Sequence, residues 1–498
     1  MDDEPREVEL KFLYPPSRAR EILGHLFPRG HPGSRTLTSV YFDSDGHDLR
    51  RAGFTLRLRL DQGGWTQTVK TMAGSGGRLG RGEWESPALG EVPDRDQIRA
   101  TPAGAALTDR ALSPIFQVIL QRRSVLARAA GATVEISLDR GRVIAANRAT
   151  RVEELELELK SGPASGLFAI AKVLQRRFDL EPSFATKADR GFTLVDRRAS
   201  RVRRHSAPAL TDEVAVGQAF WAIAVAALEQ IAANAALVRG RPSAEAIHQT
   251  RVGARRLRSA LATFAPVLTD DRAPGVVAEL KWFAGELDPA RNLDVLLAGA
   301  WRRAARRKTA KTAFVSLGVR LRTDRAAAHA RARAACGSPR FHAMVLDILS
   351  WIEDGPWTAP DAPGADERDA PLRPFAARLL EKAGRKVRKR GRRFGGLDRG
   401  ERHAVRIAAK RLRYAAEVLA PNFAHRRRAK RFLDRLKALL ENLGELNDIA
   451  TGEAIVGDGP AADTLISAER ARERRLIAAA GDAFARFAHS RPPWPEET

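Results

Sequence analysis

The chain has 498 residues, 44% of them hydrophobic, which excludes a disordered polypeptide and leaves room for about two to four domains with their own cores. Cys336 is the only cysteine, so an intrachain disulfide or a cysteine-rich metal cluster is excluded. The formal net charge of +25 is uneven, +5 over residues 1–200 and +20 over the remainder, so a polyanionic partner (nucleic acid, anionic lipid or polyphosphate) is expected mainly for the second part.

Met1 to Pro5 carries no basic segment followed by an apolar run, so no secretory signal is expected, and cytoplasmic residence is the default expectation. Glu7-Val8-Glu9-Leu10-Lys11 then alternates charged and apolar residues, the pattern of a strand with one wet and one dry face. Val8, Leu10 and Phe12 point one way; Glu7, Glu9 and Lys11 form the other face, a combination suited to a metal ion and an anion together. Ser17 is placed to cap a short helix over Arg18 to Phe27.

Strand patterns follow at Ser39 to Asp43, Phe54 to Leu60 and Trp65 to Lys70, with Arg57 and Arg59 on one face and Thr66, Thr68 and Lys70 in register. A glycine-rich reversal, Ala73 to Gly80, leads to Arg81-Gly82-Glu83-Trp84-Glu85. Gln117 to Leu126 carries Arg122 and Arg123 on opposite faces, Thr133 to Asp139 places Glu135, Ser137 and Asp139 on one face, and Glu154 to Lys160 repeats the logic of the opening strand. Several antiparallel strands with a charged face each do not suit a sandwich, whose inner faces must be apolar. They suit a closed barrel with a polar lumen, its apolar outside covered by helices at Arg18 to Phe27 and Gly166 to Phe178.

These features together resemble the CYTH superfamily, the triphosphate tunnel metalloenzymes, over residues 1–200. The resemblance rests on Glu7, Glu9 and Lys11, with Tyr41-Phe42-Asp43, Leu56 to Arg59, Val69-Lys70-Thr71, Arg81 to Glu85, Leu138 to Gly141, Glu156 to Lys160 and Lys187 to Gly191 in order. It implies a tunnel in which Lys11, Arg57, Arg59, Lys70, Arg123 and Lys187 bind a triphosphate carrying about four negative charges. Of the two neighbouring arginines, the resemblance favours Arg123. It further implies that Glu7, Glu9, Asp139, Glu156 and Glu158 hold Mg2+ or Mn2+, with Lys11 and either Glu156 or Glu158 taking part in catalysis. Glu83 and Glu85 are either lumen acids or surface hairpin residues.

The activity implied is hydrolysis of inorganic triphosphate to pyrophosphate and phosphate, since no aromatic pair is placed to receive an organic moiety. Two competing readings are a non-catalytic polyphosphate-binding or granule-associated protein and a class IV-type adenylate cyclase.

Arg197 to Pro208 is basic and reads as part of a linker, placed at 201–210. Alanine-, leucine- and arginine-rich helical patterns fill 211–490. Ala219 to Val238 is the longest apolar run, but Glu229, Gln230 and Asn234 make it a core helix with a polar edge rather than a membrane span. A proline-rich break at 355–374 divides the region into halves, 211–354 and 375–490. The halves repeat: His248 to Arg258 is echoed by His403 to Arg413. At about 100° per residue, His248, Arg251, Arg255 and Arg258 form one helical stripe and His403, Arg406, Lys410 and Arg413 its twin, while Leu257, Leu261 and Phe264 face the core. Lys281 and Lys437 belong to a second echo, which also pairs Asp294 with Asp448 as residues holding basic side chains in place.

This duplicated pattern resembles the CHAD domain, a conserved-histidine helical domain, and implies polyphosphate binding by the two stripes with Lys281 and Lys437, and association with polyphosphate granules. Basic stripes without interleaved aromatic residues make nucleic acid an unlikely partner. The expected architecture is α+β: an antiparallel β-barrel tunnel with covering helices, followed by an all-α domain of two duplicated helical-bundle halves.

Overall fold

The computed structural model describes residues 6–28, 30, 33–72, 80–196, 201–204, 208, 210, 214–305, 313–420, 423 and 426–494. Most of the Ala73 to Gly80 reversal and of the basic linker lies outside the described residues. The chain forms two units, Met1–Arg203 with Ser338–Gly355, and Arg204–Gly337 with Pro356–Thr498.

The first unit runs β1 (Arg6–Leu13), α1 (Ala19–Leu26), β2 (Arg35–Ser44), α2 (Asp48–Arg51), β3 (Phe54–Asp61), β4 (Gly64–Thr71), β5 (Gly80–Ala88), α3 (Arg95–Arg99), β6 (Leu112–Ala129), β7 (Ala132–Ala145), β8 (Arg148–Ser161), α4 (Ala164–Phe178), β9 (Glu181–Pro182) and α5 (Lys187–Val195). All eight strand patterns read from the sequence are strands. Ser17, however, does not cap α1: Pro16–Arg18 forms a 3-10 turn that leads directly into the helix, with Arg18 at the cap position.

The strands pair antiparallel in the order β5-β4-β3-β2-β6-β7-β8-β1-β9. β1 is shared between two neighbours: Glu9 to Leu13 pairs with β8, whereas Arg6 to Val8 pairs with Gly80 to Gly82 of β5. The expected closed barrel is therefore a curled sheet whose two ends meet only along this short seam.

Alternation sorts the side chains. Leu10 and Phe12 of β1, Val134 and Ile136 of β7 and Leu155 and Leu157 of β8 are buried apolar residues of one parity, and α4 packs on β6, β7 and β8. Phe42, Leu56, Leu58 and Val69 form a second apolar cluster with Ile98 and Ala103. The opposite face is not uniformly polar. At one end Leu37, Tyr41, Phe116, Val118, Leu120, Val143 and Val152 cluster with Ala188 and Phe192 of α5, which plugs that end. Gly191 lets α5 approach this closely, since a Cβ there would meet the Phe116 ring at 2.2 Å.

The second unit contains α6 (Val216–Gly240), α7 (Ala244–Thr263), α8 (Ala273–Leu296), α9 (Arg302–Ala305), α10 (Ala313–Cys336), α12 (Ala365–Asp369), α13 (Leu372–Arg390), α14 (Arg399–Leu419), α15 (Arg426–Val456) and α16 (Pro460–Ala488). Helices α6, α7, α8 and α10 form one half and α13, α14, α15 and α16 the other; α7 packs on α14, α8 on α15 and α10 on α16. Leu257, Leu261 and Phe264 are buried as expected. Helix α6 is long and apolar enough to cross a membrane by length and composition; in this structure it packs on α7, α10 and α12, and its buried Gln230 bonds Gln249.

Helix α11 (Pro339–Asp354) corrects the expected boundary at 354. It belongs to the first unit, where it packs on α4 and β9, with Lys172 at 3.0 Å from Asp347 and His342 at 3.1 Å from Asp179. Phe341, Val345, Leu346, Ile348, Leu349, Trp351 and Ile352 are all buried. A helix with apolar residues on so many sides needs packing partners all round.

Candidate functional site

The inner face of the curled sheet surrounds a cavity of about 300 Å3, lined by Glu7, Glu9, Lys11, Arg57, Arg59, Lys70, Glu83, Glu85, Arg122, Glu135, Glu156, Glu158, Lys160 and Lys187 among others. Strand alternation brings these residues together. Glu9 lies opposite Glu158 and Lys11 opposite Glu156 across β1 and β8, so the two alternating motifs run antiparallel, side by side. Glu135 lies opposite Glu158 on the other side, and Lys70 opposite Glu83. Glu83 and Glu85 are thus lumen acids.

Among the neighbouring arginines the expectation is reversed. Arg122, not Arg123, lines the cavity, donating from Nε and Nη2 to the two carboxylate oxygens of Asp139 at 2.7 and 2.6 Å and from Nη2 to Glu156. Arg122 shares its strand face with Leu120 and with Ser124, which bonds Ser137; Arg123, of opposite parity, turns away.

Carboxylates and cations alternate through the cavity and neutralise one another. Lys70 sits 2.5 Å from Glu7 and 2.8 Å from Glu83, Lys11 bonds Glu9, and Arg57 lies 3.6 Å from Glu85 while donating to Thr68 at 3.1 Å. Arg59 has no carboxylate within ion-pair distance among the described residues; it donates to Ser39 at 3.2 Å, and burial with the nearby Arg57 and Arg122 guanidiniums pushes it down to about 10. A half-buried arginine beside other cations is poised for an anion.

Deeper in, Asp139 and Glu154 are fully buried. Asp139, Glu154 and Glu156 each offer an oxygen within 4.8 Å of the others, but Lys187 Nζ already lies 2.9, 2.9 and 2.5 Å from them, and Arg190 adds a second partner to Glu154. The expected roles of Asp139 and Glu156 as metal ligands and of Lys187 as a phosphate contact therefore meet a competing fact: these groups form one buried ion-pair network. Burial would raise the Glu156 carboxyl, but Lys187, Arg122 and Lys11 outweigh it and hold it well below the usual carboxylate range. Glu158 moves the other way: burial raises it, the bond from Lys160 opposes this, and the charges of Glu7 and Glu135 add to the rise. Glu7, Glu9 and Glu158 line the cavity as hard oxygen donors, each paired to a lysine, and fit a divalent ion once those lysines are drawn off.

In the second unit the twin stripes face each other across α7 and α14, but not all members converge. Arg251, Arg255, Arg406 and Lys410 do, joined by Arg291 of α8, which the sequence reading did not single out as a site residue. Burial, then Arg255, Arg406 and Arg251, push Lys410 down to about 7. Burial, then Arg291 and Arg255, push His248 down to about 4, so it is neutral near pH 7 without a ligand. The Nε atoms of Arg251, Arg255 and Arg406 are buried with no hydrogen-bond partner, although Arg251 also pairs with Asp288 at 2.5 Å.

The remaining members lie elsewhere. Arg413 donates to Glu417 at 2.6 Å, a carboxylate shared with Arg256; His403, Lys281 and Lys437 are exposed and Arg258 is half-buried. Asp294 and Asp448 both stand by basic side chains, as expected, but by different ones: Asp294 accepts from Arg325 and contacts His329, while Asp448 stands near Arg406, Arg291 and Lys410.

Comparison with known proteins agrees with this two-part construction. Residues 5–192 match the family model "CYTH domain" and residues 222–456 the model "CHAD domain". An inorganic triphosphatase of Haemophilus influenzae is 30% identical over 197 residues, 39% of this chain and 56% of that relative, so the match spans about half of its length. Among solved structures, the CHAD domain from the plant Ricinus communis has 26% identity and a TM-score of 0.46, covering 59% of this chain and 93% of that one. PptA from Streptomyces chartreusis has 21% identity and a TM-score of 0.42, covering 55% and 99%. The chain thus carries a CYTH domain followed by a CHAD domain.

Proposed function

We propose that the CYTH domain hydrolyses inorganic triphosphate to pyrophosphate and phosphate with Mg2+ or Mn2+, and that the CHAD domain binds inorganic polyphosphate. The observation that carries the first part is the cavity in which Lys11 and Lys70 are paired to Glu9 and Glu7. An entering triphosphate offers both lysines a stronger anion, and Glu7 and Glu9 are then released, with Glu158, to hold a divalent ion. Substrate would therefore tighten the binding of the metal. The ion would supply charge neutralisation on phosphate oxygens and a more acidic bound water. Arg57, Arg59, Arg122 and Lys11 grip the phosphates and stabilise the charge that builds on the departing pyrophosphate. The proton of the attacking water passes to Glu156 or Glu158, through an oxygen that the ion leaves free.

An inorganic substrate is supported by the lining. Among the described residues Tyr41 is the only aromatic one lining the cavity, and its ring is stacked on Phe116 at 4.5 Å. The similarity to a triphosphatase supports the same reading. For the second domain, the support is a convergence of cations whose positive charge is disfavoured until an anion arrives. Cytoplasmic residence, at polyphosphate granules, is part of the proposal, with nucleic acid and membrane outside it.

The test is phosphate release from tripolyphosphate by the full-length protein with Mg2+ or with chelator, alongside ATP, long-chain polyphosphate and the Glu9→Gln variant. Metal-dependent release lost in the variant supports the reading. Cyclic AMP from ATP would replace it with the cyclase, and polyphosphate binding without turnover of any substrate would replace it with a binding protein.

A further inference from the structure

Glu135, Glu158 and Glu9 stand in one row across three neighbouring strands, Glu135 opposite Glu158 on β7 and β8, and Glu158 opposite Glu9 on β8 and β1. Directly opposed side chains have Cβ atoms about 5 Å apart, and like charges so placed repel. The row needs cations, and two lysines supply them from opposite ends of the antiparallel motifs. Lys11, with a side chain only 9% exposed, serves Glu9; Lys160 reaches Glu158 at 2.6 Å and Glu135 at 3.1 Å. Lys160 differs in one respect that matters: its side chain is 39% exposed. Lys11 cannot withdraw without leaving a charge stranded in the interior, whereas the Lys160 ammonium can turn into water at small cost.

We propose that Lys160 is the resident counter-ion of the Glu135–Glu158 pair and competes there with the divalent ion, so that this residue sets how much free metal the cavity requires. The inference rests on the metal reading given under Proposed function and deepens it. Glu158 is unavailable as a metal ligand while Lys160 is bound to it, and every metal ion that enters must first displace the ammonium. Removing that ammonium leaves two opposed carboxylates that attract a divalent cation more strongly.

The experiment is calorimetric titration of Mn2+ into the full-length protein without substrate, comparing wild type, Lys160→Gln and Lys160→Arg at fixed ionic strength, with tripolyphosphate hydrolysis followed in parallel. The expected result is a Kd for Mn2+ lowered roughly two- to fivefold in Lys160→Gln, the range of a partly exposed ion pair, and near the wild-type value in Lys160→Arg. A wild type that binds Mn2+ while Lys160→Gln binds it equally or more weakly overturns the Lys160 inference alone. A wild type that hydrolyses tripolyphosphate but does not bind Mn2+ without substrate also overturns the Lys160 inference, and one that neither binds Mn2+ nor hydrolyses tripolyphosphate overturns the metal reading with it.

Discussion

Glu156 and Lys187 lie 2.5 Å apart at the base of the cavity, and each is the other's link to a wider network: Lys187 also holds Asp139 and Glu154, and Glu156 also accepts from Arg122. Lys187→Met removes the cation shared by three buried carboxylates and leaves them mainly Arg122 and Arg190, so a loss of about 3–5 kcal/mol is expected, read by thermal or urea unfolding. The sign of the pH dependence follows from Glu156. Its folded-state value is depressed, so its contribution to stability is present above its ordinary value of 4.5 and is lost as pH falls through the lower folded value. The wild type should therefore lose stability on acidification more steeply than a Glu156→Gln variant. Parallel acid titrations would sink this account.

Arg122 and Arg123 give a second, sharper comparison. Arg122 is bonded to Asp139 and Glu156 inside the cavity, so Arg122→Gln should lower kcat/KM for tripolyphosphate by about 30-fold or more, as expected for losing about 2–5 kcal/mol of a desolvated charged contact. Arg123→Gln should leave kcat/KM within about threefold. Steady-state kinetics on both variants decide it, and equal losses would place both side chains at the substrate.

The error over these arginines shows where alternation is informative and where it is not. In β1 and β8 every other residue is charged, and their lumen faces were legible at once. In β6 the inward face changes character along its length, from Phe116, Val118 and Leu120 against α5 to Arg122 and Ser124 at the cavity, so apolar does not mean outward. Only the register with β7, which sets Arg122 opposite Asp139, fixes the direction. Lys187 was legible as a cation in the right place, but its three carboxylate partners come from two strands distant in sequence. In the helical unit the stripes were legible from periodicity, whereas the convergence of Arg251, Arg255, Arg291, Arg406 and Lys410 depends on how α7, α8 and α14 pack.

Lys410 supplies a pH test for the second domain. Its ammonium is pushed down to about 7 by burial and by Arg255, Arg406 and Arg251, and a polyanion would restore it toward its ordinary 10.5. Binding should take up a proton, and affinity for polyphosphate should fall as pH rises above about 7. Without ligand the sign is opposite for folding: the unfolded chain binds more protons between about 7 and 10.5, so this residue makes stability rise with pH across that window. Lys410→Arg should flatten the fall in affinity between pH 7 and 9, measured by calorimetry in buffers of different ionisation enthalpy. A pH-independent wild type would remove Lys410 from the binding surface.

Helix α11 changes what a domain-deletion experiment can mean. A resemblance confined to residues 1–200 implies that removing residues 211–498 leaves tripolyphosphate turnover largely intact. In the structure α11, supplied from residues 339–354, packs on α4 and on β9, and β9 pairs with Phe12 and Leu13 of β1, while Ser183 N donates to the Lys11 carbonyl at 2.8 Å. A chain ending at residue 203 loses the helix that covers α4 and braces the Lys11 end of β1. Several buried aliphatic and aromatic side chains, at about 1.5–3 kcal/mol each, lose their packing. The expected result is a melting temperature at least about 10 °C below that of the same fragment joined through a flexible linker to residues 338–355. Tripolyphosphate turnover should be weak in the first fragment and restored in the second. Equal melting temperatures and equal turnover would show that α11 is an accessory to a first domain already complete at residue 203.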